Sequence, residues 1–238
     1  MIKLLKTGKH DSVNPIMFAD NNGNCHCVWK ADGLYCYSKF NGTDWEYLND
    51  YKVIETIPNG VEVPQNGLCV DSNDNPYVLW AKPNYTHVFG GLSELYLTYW
   101  SNSEWTMVNN FILRDTLYGA SLTFFEDKLY IGSLIMRQNS HLFTITTYQN
   151  GNFTFLNSIK VSLLQREAKV LLRGVNPDRS VGNKYLYCFW DCFDSASKWI
   201  EHVIYDIENN VFISTATRKI NLSNNEIAIS GFDFVEIA

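Results

Sequence analysis

The sequence has few charged residues and lacks the short motifs that mark several common enzyme families. Charged residues make up 18% of its 238 residues, and only six residues are arginine. It contains no glycine-rich phosphate loop, no H-E-x-x-H zinc motif and no G-x-S-x-G nucleophile turn. These absences argue against nucleotide-binding proteins, zincins and α/β-hydrolases.

Concentrated positive charge and long apolar runs are also missing. The formal net charge is −6, and no basic cluster is large enough to predict binding to nucleic acid or to an anionic membrane surface. The first residues do not follow the order of a secretory signal, and no apolar run reaches the length of a membrane span. We therefore expect no nucleic-acid partner, no membrane insertion and no export by the secretory route.

The six cysteines do not follow the pattern of a secreted disulfide scaffold. Five lie at apolar positions in or beside predicted strands, and Cys36 lies on a neighbouring strand of the first repeat; the five are Cys25, Cys27, Cys69, Cys188 and Cys192. Without a secretory signal, this placement predicts buried free thiols. A Cys27–Cys36 bridge within one hairpin is the alternative.

Two features that resemble metal sites are better explained as strands and turns. Alternation along a strand puts His26 on the face opposite Cys25 and Cys27, so the three side chains are not expected to bind one zinc ion. The oxygen-rich turns 20–24 and 71–75 have Cys25 and Pro76 where a calcium loop needs glycine. Asn and Asp side chains that bond to their own backbone explain both turns, and we predict no metal and no cofactor.

What the sequence does contain is a repeat of about fifty residues with four landmarks. An apolar strand ends in an acidic turn at 15–20 and 67–71, with weaker copies that start at Ala120 and Val170. The next strand closes on a large apolar residue, in turn Trp29, Trp80, Leu134 and Trp190. A third strand follows, and the fourth opens on Trp45, Trp105, Phe153 or Phe212. Four strands per unit at this period are typical of a β-propeller blade.

We therefore predict an all-β protein: a single β-propeller domain, residues 1–238, built from four-stranded antiparallel blades. The four full repeats are approximately 14–65, 66–117, 118–168 and 169–225. The terminal strands, 1–8 and 226–238, are expected to form a partial fifth blade, which would remove two exposed sheet edges. A four-bladed ring with decorated ends is the alternative.

The predicted binding surface is the end where the loops from strand two to strand three meet the loops between blades. The longest of these loops, 81–94, contains Tyr85, His87 and Phe89, and aromatic loops on a rigid scaffold commonly bind ligands. Trp29, Trp80 and Trp190 would approach the same end and could stack on sugars. The alternative for each tryptophan is packing between adjacent blades.

Arginine placement indicates the same end. Arg114 and Arg166 are expected in loops between blades, Arg137 in the loop from strand two to strand three, and Arg173 nearby. Their guanidinium groups fit carboxylate or phosphate, which favours an anionic sugar. Local ion pairs with Asp115, Glu167 or Asp191 are the alternative. The predicted ligand-binding set is Trp29, Trp80, Tyr85, His87, Phe89, Arg114, Arg137, Arg166, Trp190 and Asp191.

Two stretches of the second repeat carry a family resemblance. Residues 71–80, with Asp71, Asn75 and Trp80, and residues 95–105, with Trp100 and Trp105, resemble the blade repeats of bacterial and phage propellers of the broad sialidase-like and lectin-like class. The resemblance implies a propeller that binds glycans. Sialidases carry regular Asp-box turns that end in tryptophan, and 41–45 and 103–105 match that pattern only partly. This departure argues against hydrolysis.

The function expected from the sequence is a non-enzymatic module that binds a bacterial surface glycan as part of a phage tail or similar particle. An Asn-, Ile- and Lys-rich composition, similar to that of AT-rich bacteria and their phages, favours this hypothesis. The expected partners are a glycan or cell-surface receptor and other virion subunits, and the expected location is the virion or the cytoplasm. The alternatives are a glycoside hydrolase that uses carboxylates among Asp115, Glu167 and Asp191, and a structural subunit that pairs through its terminal strands.

Overall fold

The computed structural model describes most of the central chain. The described residues are 13–20, 22–31, 34–47, 52–54, 63–64, 66–83, 91–108, 112–161, 168, 170–175, 184–193, 198–213 and 220–222. Within these ranges the regular structure is entirely β-strand, and no helix is long and apolar enough to cross a membrane.

The described strands number eighteen, and we label them β1 to β18 in chain order. They are β1 (Val13–Ala19), β2 (Cys25–Ala31), β3 (Leu34–Phe40), β4 (Trp45–Glu46), β5 (Lys52–Ile54), β6 (Leu68–Val70), β7 (Pro76–Pro83), β8 (Gly91–Ser101), β9 (Glu104–Met107), β10 (Leu113–Phe125), β11 (Lys128–Arg137), β12 (Ser140–Gln149), β13 (Asn152–Lys160), β14 (Val170–Val175), β15 (Tyr185–Phe193), β16 (Lys198–Asp206), β17 (Val211–Phe212) and β18 (Ile220–Leu222).

These strands form three antiparallel sheets that contain four consecutive four-strand units. The first unit is β1 to β4, with β5 beside β3, and the fourth is β14 to β17, with β18 beside β16. The second unit, β6 to β9, and the third, β10 to β13, share the eight-stranded middle sheet. Each unit is a meander in which consecutive strands are neighbours. The prediction of an all-β, antiparallel architecture is confirmed.

The middle sheet is continuous because β10 is long enough to pair with two partners. Its first residues, 113–117, pair with 91–95 of β8, and residues 116–125 pair with β11. The sequence predicts a loop between blades at Arg114, and this prediction is wrong: Arg114 lies in the paired part of β10.

The first strands of the units pack side by side through backbone and side-chain hydrogen bonds. Asn66, just before β6, donates from Nδ2 to the carbonyl of Val170 at 2.5 Å and accepts from the amide of Leu122 at 3.2 Å. The Ser121 hydroxyl accepts from the amide of Leu172 at 3.2 Å. These bonds join β6, β10 and β14, and β1 also contacts β6, so the first strands of the four units lie next to one another.

The apolar core lies between neighbouring units. One cluster joins β11 and β12 of the third unit to β15 and β16 of the fourth, with Phe143 stacked on Trp190 at 5.2 Å between ring centroids. Another joins the first and second units through Val28, Tyr37 and Trp80. Each unit therefore covers the apolar face of the next, as expected for small sheets that cannot bury both faces alone.

All six cysteines are free thiols, and five of them are buried. The prediction of buried free thiols is therefore confirmed for five of the six cysteines. Cys27 and Cys36 do not form the disulfide bridge that was the alternative. Burial raises the pKa of the Cys27 thiol to about 12, so this side chain is protonated at neutral pH and packs as a small apolar group. The predicted terminal strands, 1–8 and 226–238, lie outside the described residues, and the partial fifth blade stays a prediction.

Close contact between the third and fourth units requires glycine at position 119. A Cβ added there would lie 2.1 Å from the carbonyl oxygen of Ala168, which is fixed by the hydrogen bond from its own amide to the carbonyl of Tyr118 at 2.8 Å. We expect Gly119→Ala to lower the free energy of unfolding by about 2 kcal/mol, the usual cost of overpacking. Urea unfolding measures the change. The exposed β11 variant Lys128→Ala is the control and should change stability by less than about 0.5 kcal/mol; equal stability of the two variants would contradict the contact.

Candidate functional site

A cavity of about 570 Å³ lies where the first strands of the four units converge, and we call it the axial cavity. Its lining comes from the ends of β1, β6, β10 and β14 and from the turns that follow β1, β6 and β10. The lining residues are Phe18, Ala19, Asp20, Asn22, Val70, Asp71, Ser72, Asp74, Thr123, Phe124, Phe125, Glu126, Asp127, Arg173 and Gly174. In an antiparallel meander, turns that follow the first strand lie at the end opposite the loops that follow the second. The axial cavity is therefore at the end opposite the predicted binding surface.

The β1–β2 turn is organised by one carboxylate. Asp20 Oδ1 accepts from the amides of Asn22 and Asn24 at 2.9 and 2.8 Å, and Oδ2 accepts from Asn24 Nδ2 at 2.7 Å. Gly23 has φ of +81°, a left-handed conformation that favours glycine. The side chain of Asp20 is only 6% exposed, so this turn holds a carboxylate at the wall of the axial cavity.

The β6–β7 turn repeats the same construction one unit later. Asp71 Oδ1 accepts from the amides of Asn73 and Asn75 at 2.9 and 2.8 Å, and Oδ2 accepts from Asn75 Nδ2 at 3.1 Å. Tyr77 donates to Oδ2 at 3.4 Å. The prediction that both turns are Asx-type hairpins is confirmed, because their carboxylates bond to their own turn backbone.

His26 connects the first two turns. It is fully buried, and its Nε2 lies 3.2 Å from Asp20 Oδ2 and 3.4 Å from Asp74 Oδ1. Its Nδ1 lies 2.6 Å from the hydroxyl of Tyr37, another fully buried side chain. Asp74, which has φ of +67°, also pairs with Lys39. A carboxylate from the second unit thus reaches a histidine of the first and ties the two units together at the cavity.

Protonation states in this cluster follow from burial and hydrogen bonding. Burial works to raise the pKa of Asp20, but the hydrogen bonds from Asn24 and His26 outweigh it and hold the pKa well below its usual range. Burial lowers the pKa of His26 more than Asp20 and Asp74 raise it. Burial, together with the charges of Asp74 and Asp20, raises the pKa of Tyr37 far above its ordinary value. At neutral pH, His26 therefore donates from Nε2 to Asp20, and Tyr37 donates to Nδ1.

Aromatic rings and one arginine complete the wall of the axial cavity. The Arg173 guanidinium carbon lies 5.8 Å from the centre of the Phe18 ring, a cation–π contact between β14 and β1. A Cβ at Gly174 would come within 2.1 Å of the Phe125 ring, so the ring of Phe125 lies directly on the glycine backbone. Phe124 lies 6.4 Å from Tyr77 in a stacked arrangement. Three phenylalanines thus stand next to the carboxylates that line the same space.

Asp20, His26 and Asp74 are also the set of described residues whose donor atoms could hold a metal ion. One atom from each lies within 4.8 Å of the others. In this structure Asp20 and His26 bond to each other and Asp74 pairs with Lys39 through Oδ2. The other Asp74 oxygen, Oδ1, is buried 3.4 Å from His26 Nε2 and accepts no hydrogen bond. Cys25 and Cys27 do not belong to this set. The prediction of no metal stays a prediction.

The three predicted tryptophans are buried, which corrects their assignment as a sugar-stacking platform. Trp29, Trp80 and Trp190 are 2%, 5% and 0% exposed, so none offers a ring face to solvent. Trp80 stacks on Tyr96 at 4.5 Å and donates to Thr98 at 3.0 Å, and Trp190 stacks on a ring of the third unit. Trp80 and Trp190 pack between neighbouring units, which was the alternative interpretation, whereas Trp29 packs within the first unit.

The predicted arginines form local ion pairs where the structure describes them. Arg137, the last residue of β11, pairs with Asp115 of β10, and Arg114 Nε lies 3.6 Å from Glu94 Oε1. Both arginines are about half exposed, at 55% and 53% of the side chain. For Arg137, the ion pair with Asp115 agrees with the alternative to ligand binding that the sequence offered, a local ion pair. Asp191 lies on β15, half-buried, opposite Ile200.

Part of the predicted binding surface lies outside the described residues. These are Tyr85, His87 and Phe89 of the longest loop, together with Arg166 and Glu167. Their role in binding stays a prediction.

The acidic residues of the axial cavity belong to the first landmark of the sequence repeat, the acidic turn. From the sequence, these residues are explained as turn formers and are not predicted to form a binding site. The recurring acidic turn after the first strand of a unit places Asp20, Asp71 and the pair Glu126–Asp127 around the same cavity. In a propeller, equivalent positions of successive units surround the same axis. That rule, applied to the acidic turns, would have predicted their convergence.

Comparisons with known proteins rest on structure alone. A scan against protein-family models finds no match, and a search of curated proteins finds none either. Among solved structures, the chain is similar to the Aleuria aurantia lectin in complex with Fucα1-6GlcNAc, with 10% identity, 89% of this chain covered and a TM-score of 0.55. It is also similar to a Penicillium chrysogenum α-L-arabinanase complexed with arabinobiose, with 10% identity, 82% coverage and a TM-score of 0.49.

A third similar structure is the α-L-arabinanase of Cellvibrio cellulosa, with 10% identity, 89% of this chain and 76% of that chain covered, and a TM-score of 0.44. The chain spans 62% of the length of the lectin and 62% of that of the Penicillium enzyme. At these identities the likeness to the lectin shows the fold alone. The chain is an all-β protein with antiparallel sheets and the propeller fold.

Proposed function

We propose that the protein is a carbohydrate-binding propeller that holds a sugar in the axial cavity. The observation that carries this proposal is the meeting of aromatic rings with planar polar side chains in one cavity: Phe18, Phe124 and Phe125 stand beside Asp71, Asn22 and Arg173. Sugars present an apolar C–H face and a rim of hydroxyl groups. Rings contact the face, while carboxylates, amides and guanidinium groups bond to the hydroxyls.

The dimensions and rigidity of the axial cavity support a small ligand. Its volume of about 570 Å³ falls in the range of about 300–1,000 Å³ found for small-molecule sites. The carboxylates of Asp20 and Asp71 are fixed by their own turns, so part of the site is ordered before a ligand arrives. The similar lectin was solved with a bound disaccharide, which supports a sugar as the ligand class on this scaffold.

One carboxylate of the axial cavity is unsuited to the acid role in hydrolysis. A glycosidase needs one carboxylic acid that donates a proton and a second carboxylate that acts as base or nucleophile. Hydrogen bonds hold the pKa of Asp20 well below its usual range, although burial opposes them, so this group stays ionised and cannot donate a proton. Asp115, a carboxylate predicted for hydrolysis, pairs with Arg137.

We further propose that the sugar belongs to a bacterial surface glycan and that the protein is the receptor-binding part of a phage tail or similar particle. The Asn-, Ile- and Lys-rich composition supports this biological setting. Virion subunits and a cell-surface receptor would then be its partners. Hydrolysis of the same glycan is the competing outcome.

Blocking the axial cavity tests where the sugar binds. Ser72 is exposed and lines the cavity, so Ser72→Trp should fill its mouth without disturbing the core. We expect this variant to bind an arrayed bacterial glycan at least about tenfold more weakly, a loss of about 1.4 kcal/mol. Thr43→Trp, on an exposed turn that does not line the cavity, is the matched control and should bind normally.

Two variants at the opposite end distinguish the alternatives. If Tyr85→Ala or Arg137→Ala abolishes binding while Ser72→Trp does not, the ligand binds at the loop end and the axial proposal is wrong. Mass spectrometry of the recovered glycan separates the function classes: an intact glycan supports a binding protein, and a cleaved glycan assigns hydrolysis. No binding to any glycan would contradict the proposed function.

A further inference from the structure

The charges around the axial cavity restrict the kind of sugar that it can hold, and this inference rests on the proposed function. Five carboxylates line the cavity, those of Asp20, Asp71, Asp74, Glu126 and Asp127, and Arg173 is the single cation of the lining. Lys39 pairs with Asp74, and Lys184 lies 3.0 Å from Glu126. Five anions against three cations leave a formal charge of −2 on these described groups.

The carboxylates differ in how far their oxygens are already used. Asp20 and Asp71 bond to their own turns through both oxygens. Asp127 is exposed, and the hydroxyl of Ser72 contacts its Oδ1 at a long 3.5 Å. Glu126, also exposed, shares one oxygen with Lys184. Glu126 and Asp127 therefore present acceptor oxygens at the mouth, above the phenylalanine walls.

A negative mouth over aromatic walls fits an ammonium group on the ligand. Clefts with one sign of charge concentrate ligands of the opposite sign. Charge-assisted hydrogen bonds from an ammonium to carboxylates are stronger than bonds between neutral groups, and aromatic faces also attract cations. An acidic sugar would instead meet like charge, which is unfavourable.

We propose that the axial cavity binds an amine-bearing sugar, such as a hexosamine with a free 2-ammonium group, and discriminates against acidic sugars. The ammonium lies between the carboxylates of Glu126 and Asp127, and the apolar face of the ring lies on the phenylalanine wall. This assignment replaces the anionic sugar predicted from Arg114, Arg137 and Arg166. Arg114 and Arg137 occupy the other end of the fold in ion pairs, and Arg166 lies outside the described residues.

Three trisaccharides that differ in charge test the assignment by calorimetry: the glucosamine trimer with free amines, its fully N-acetylated form and the galacturonic acid trimer. We expect the free-amine trimer to bind at least about tenfold more tightly than the acetylated form, the effect of one additional charge-assisted contact. Its affinity should fall as salt increases, because the contacts lie at an exposed mouth. The acidic trimer should bind most weakly.

A charge variant at the mouth and a matched variant elsewhere complete the test. Asp127→Asn removes one negative charge at the axial cavity, whereas Glu104→Gln removes one from an exposed residue of β9 outside the lining. We expect Asp127→Asn to weaken binding of the free-amine trimer about threefold to tenfold, and Glu104→Gln to leave it unchanged.

The outcomes separate this inference from the proposed function. Equal or tighter binding of the acetylated or acidic trimer, lost in Ser72→Trp, overturns the amine preference and retains the sugar site. An amine preference that persists unchanged in both Asp127→Asn and Ser72→Trp assigns the amine to another surface and also overturns the inference. Absence of binding by all three trisaccharides and by the glycan array overturns both proposals.

Discussion

Replacing Glu201 by alanine is expected to lower the free energy of unfolding by about 3–5 kcal/mol, because two buried indole N–H groups lose their hydrogen-bond acceptor. Glu201 is fully buried on β16. Its Oε2 accepts from Trp190 Nε1 at 3.2 Å, and its Oε1 accepts from Trp199 Nε1 at 3.0 Å. Both tryptophans belong to the core cluster between the third and fourth units. Removing the acceptor leaves two N–H groups without this partner and opens a void between the rings.

Two further variants separate hydrogen bonding from general damage. Glu201→Gln retains one carbonyl acceptor and a similar shape, so we expect a smaller loss of about 1–2 kcal/mol. Glu104→Ala, on an exposed strand residue, should change stability by less than about 0.5 kcal/mol. Urea unfolding followed by tryptophan fluorescence gives the three values. If Glu201→Ala stays within about 1 kcal/mol of the parent protein, the indoles are not dependent on this carboxylate.

The spacing of Trp199 and Glu201 shows what a strand pattern can predict. Residues two apart on a strand share a face, so a tryptophan and a glutamate at this spacing point to the same side of the sheet. The sequence does not show that Trp190, on the neighbouring strand, completes the arrangement. That contact depends on the register Trp190↔Glu201, which only the paired sheet fixes.

The same distinction explains which parts of the site could be predicted. Local chemistry determines the turns after β1 and β6, and the acidic, asparagine-rich sequences 20–24 and 71–75 predicted them correctly. The approach of Asp74 to His26 depends on how the first unit packs against the second, and no pattern along the chain encodes it. His26 alternates away from Cys25 and Cys27 as expected, but its burial against Tyr37 comes from the neighbouring strand.

The sequence predicted a sugar-binding surface at the tryptophans, which are buried, and this error has a physical reason. A tryptophan at a strand end is equally suited to stacking on a sugar and to filling the space between two sheets. In this protein the space between units is large enough that Trp80 and Trp190 are needed to fill it. The phenylalanines of the axial cavity lie on first strands, where a buried position near the axis would ordinarily suggest core.

Asp20 provides the second large effect, and it should depend on pH. Asp20→Ala removes an acceptor of four hydrogen bonds, from two backbone amides, Asn24 and His26, and we expect a loss of about 3–4 kcal/mol at neutral pH. Asp71→Ala is the matched control from the equivalent turn. Its partner in place of His26 is Tyr77, at a longer 3.4 Å, so the expected loss is about 1–2 kcal/mol.

The direction of this pH dependence follows from Asp20 and His26, whose pKa values are both lowered. Burial works against ionised Asp20, but hydrogen bonds hold its pKa below the unfolded value of about 3.9, so its contribution is complete above that pH and is lost on further acidification. Burial lowers the pKa of His26, so below about pH 6.5 the unfolded chain takes up a proton that the folded chain resists. Both effects destabilise the fold in acid.

Thermal unfolding across pH 7 to 3 should therefore show Tm falling in two stages in the parent protein, first below about pH 6.5 and again below about pH 4. Asp20→Ala should start from a lower Tm and show a smaller second stage, because the Asp20 carboxylate is gone. Asp206, whose pKa is also held low by hydrogen bonds from Asn209, still contributes to that stage. Asp71→Ala should retain both stages. If Asp20→Ala and the parent lose Tm in parallel below about pH 4, the stabilising carboxylate lies elsewhere, and the network that joins the first two units at the axial cavity does not depend on Asp20.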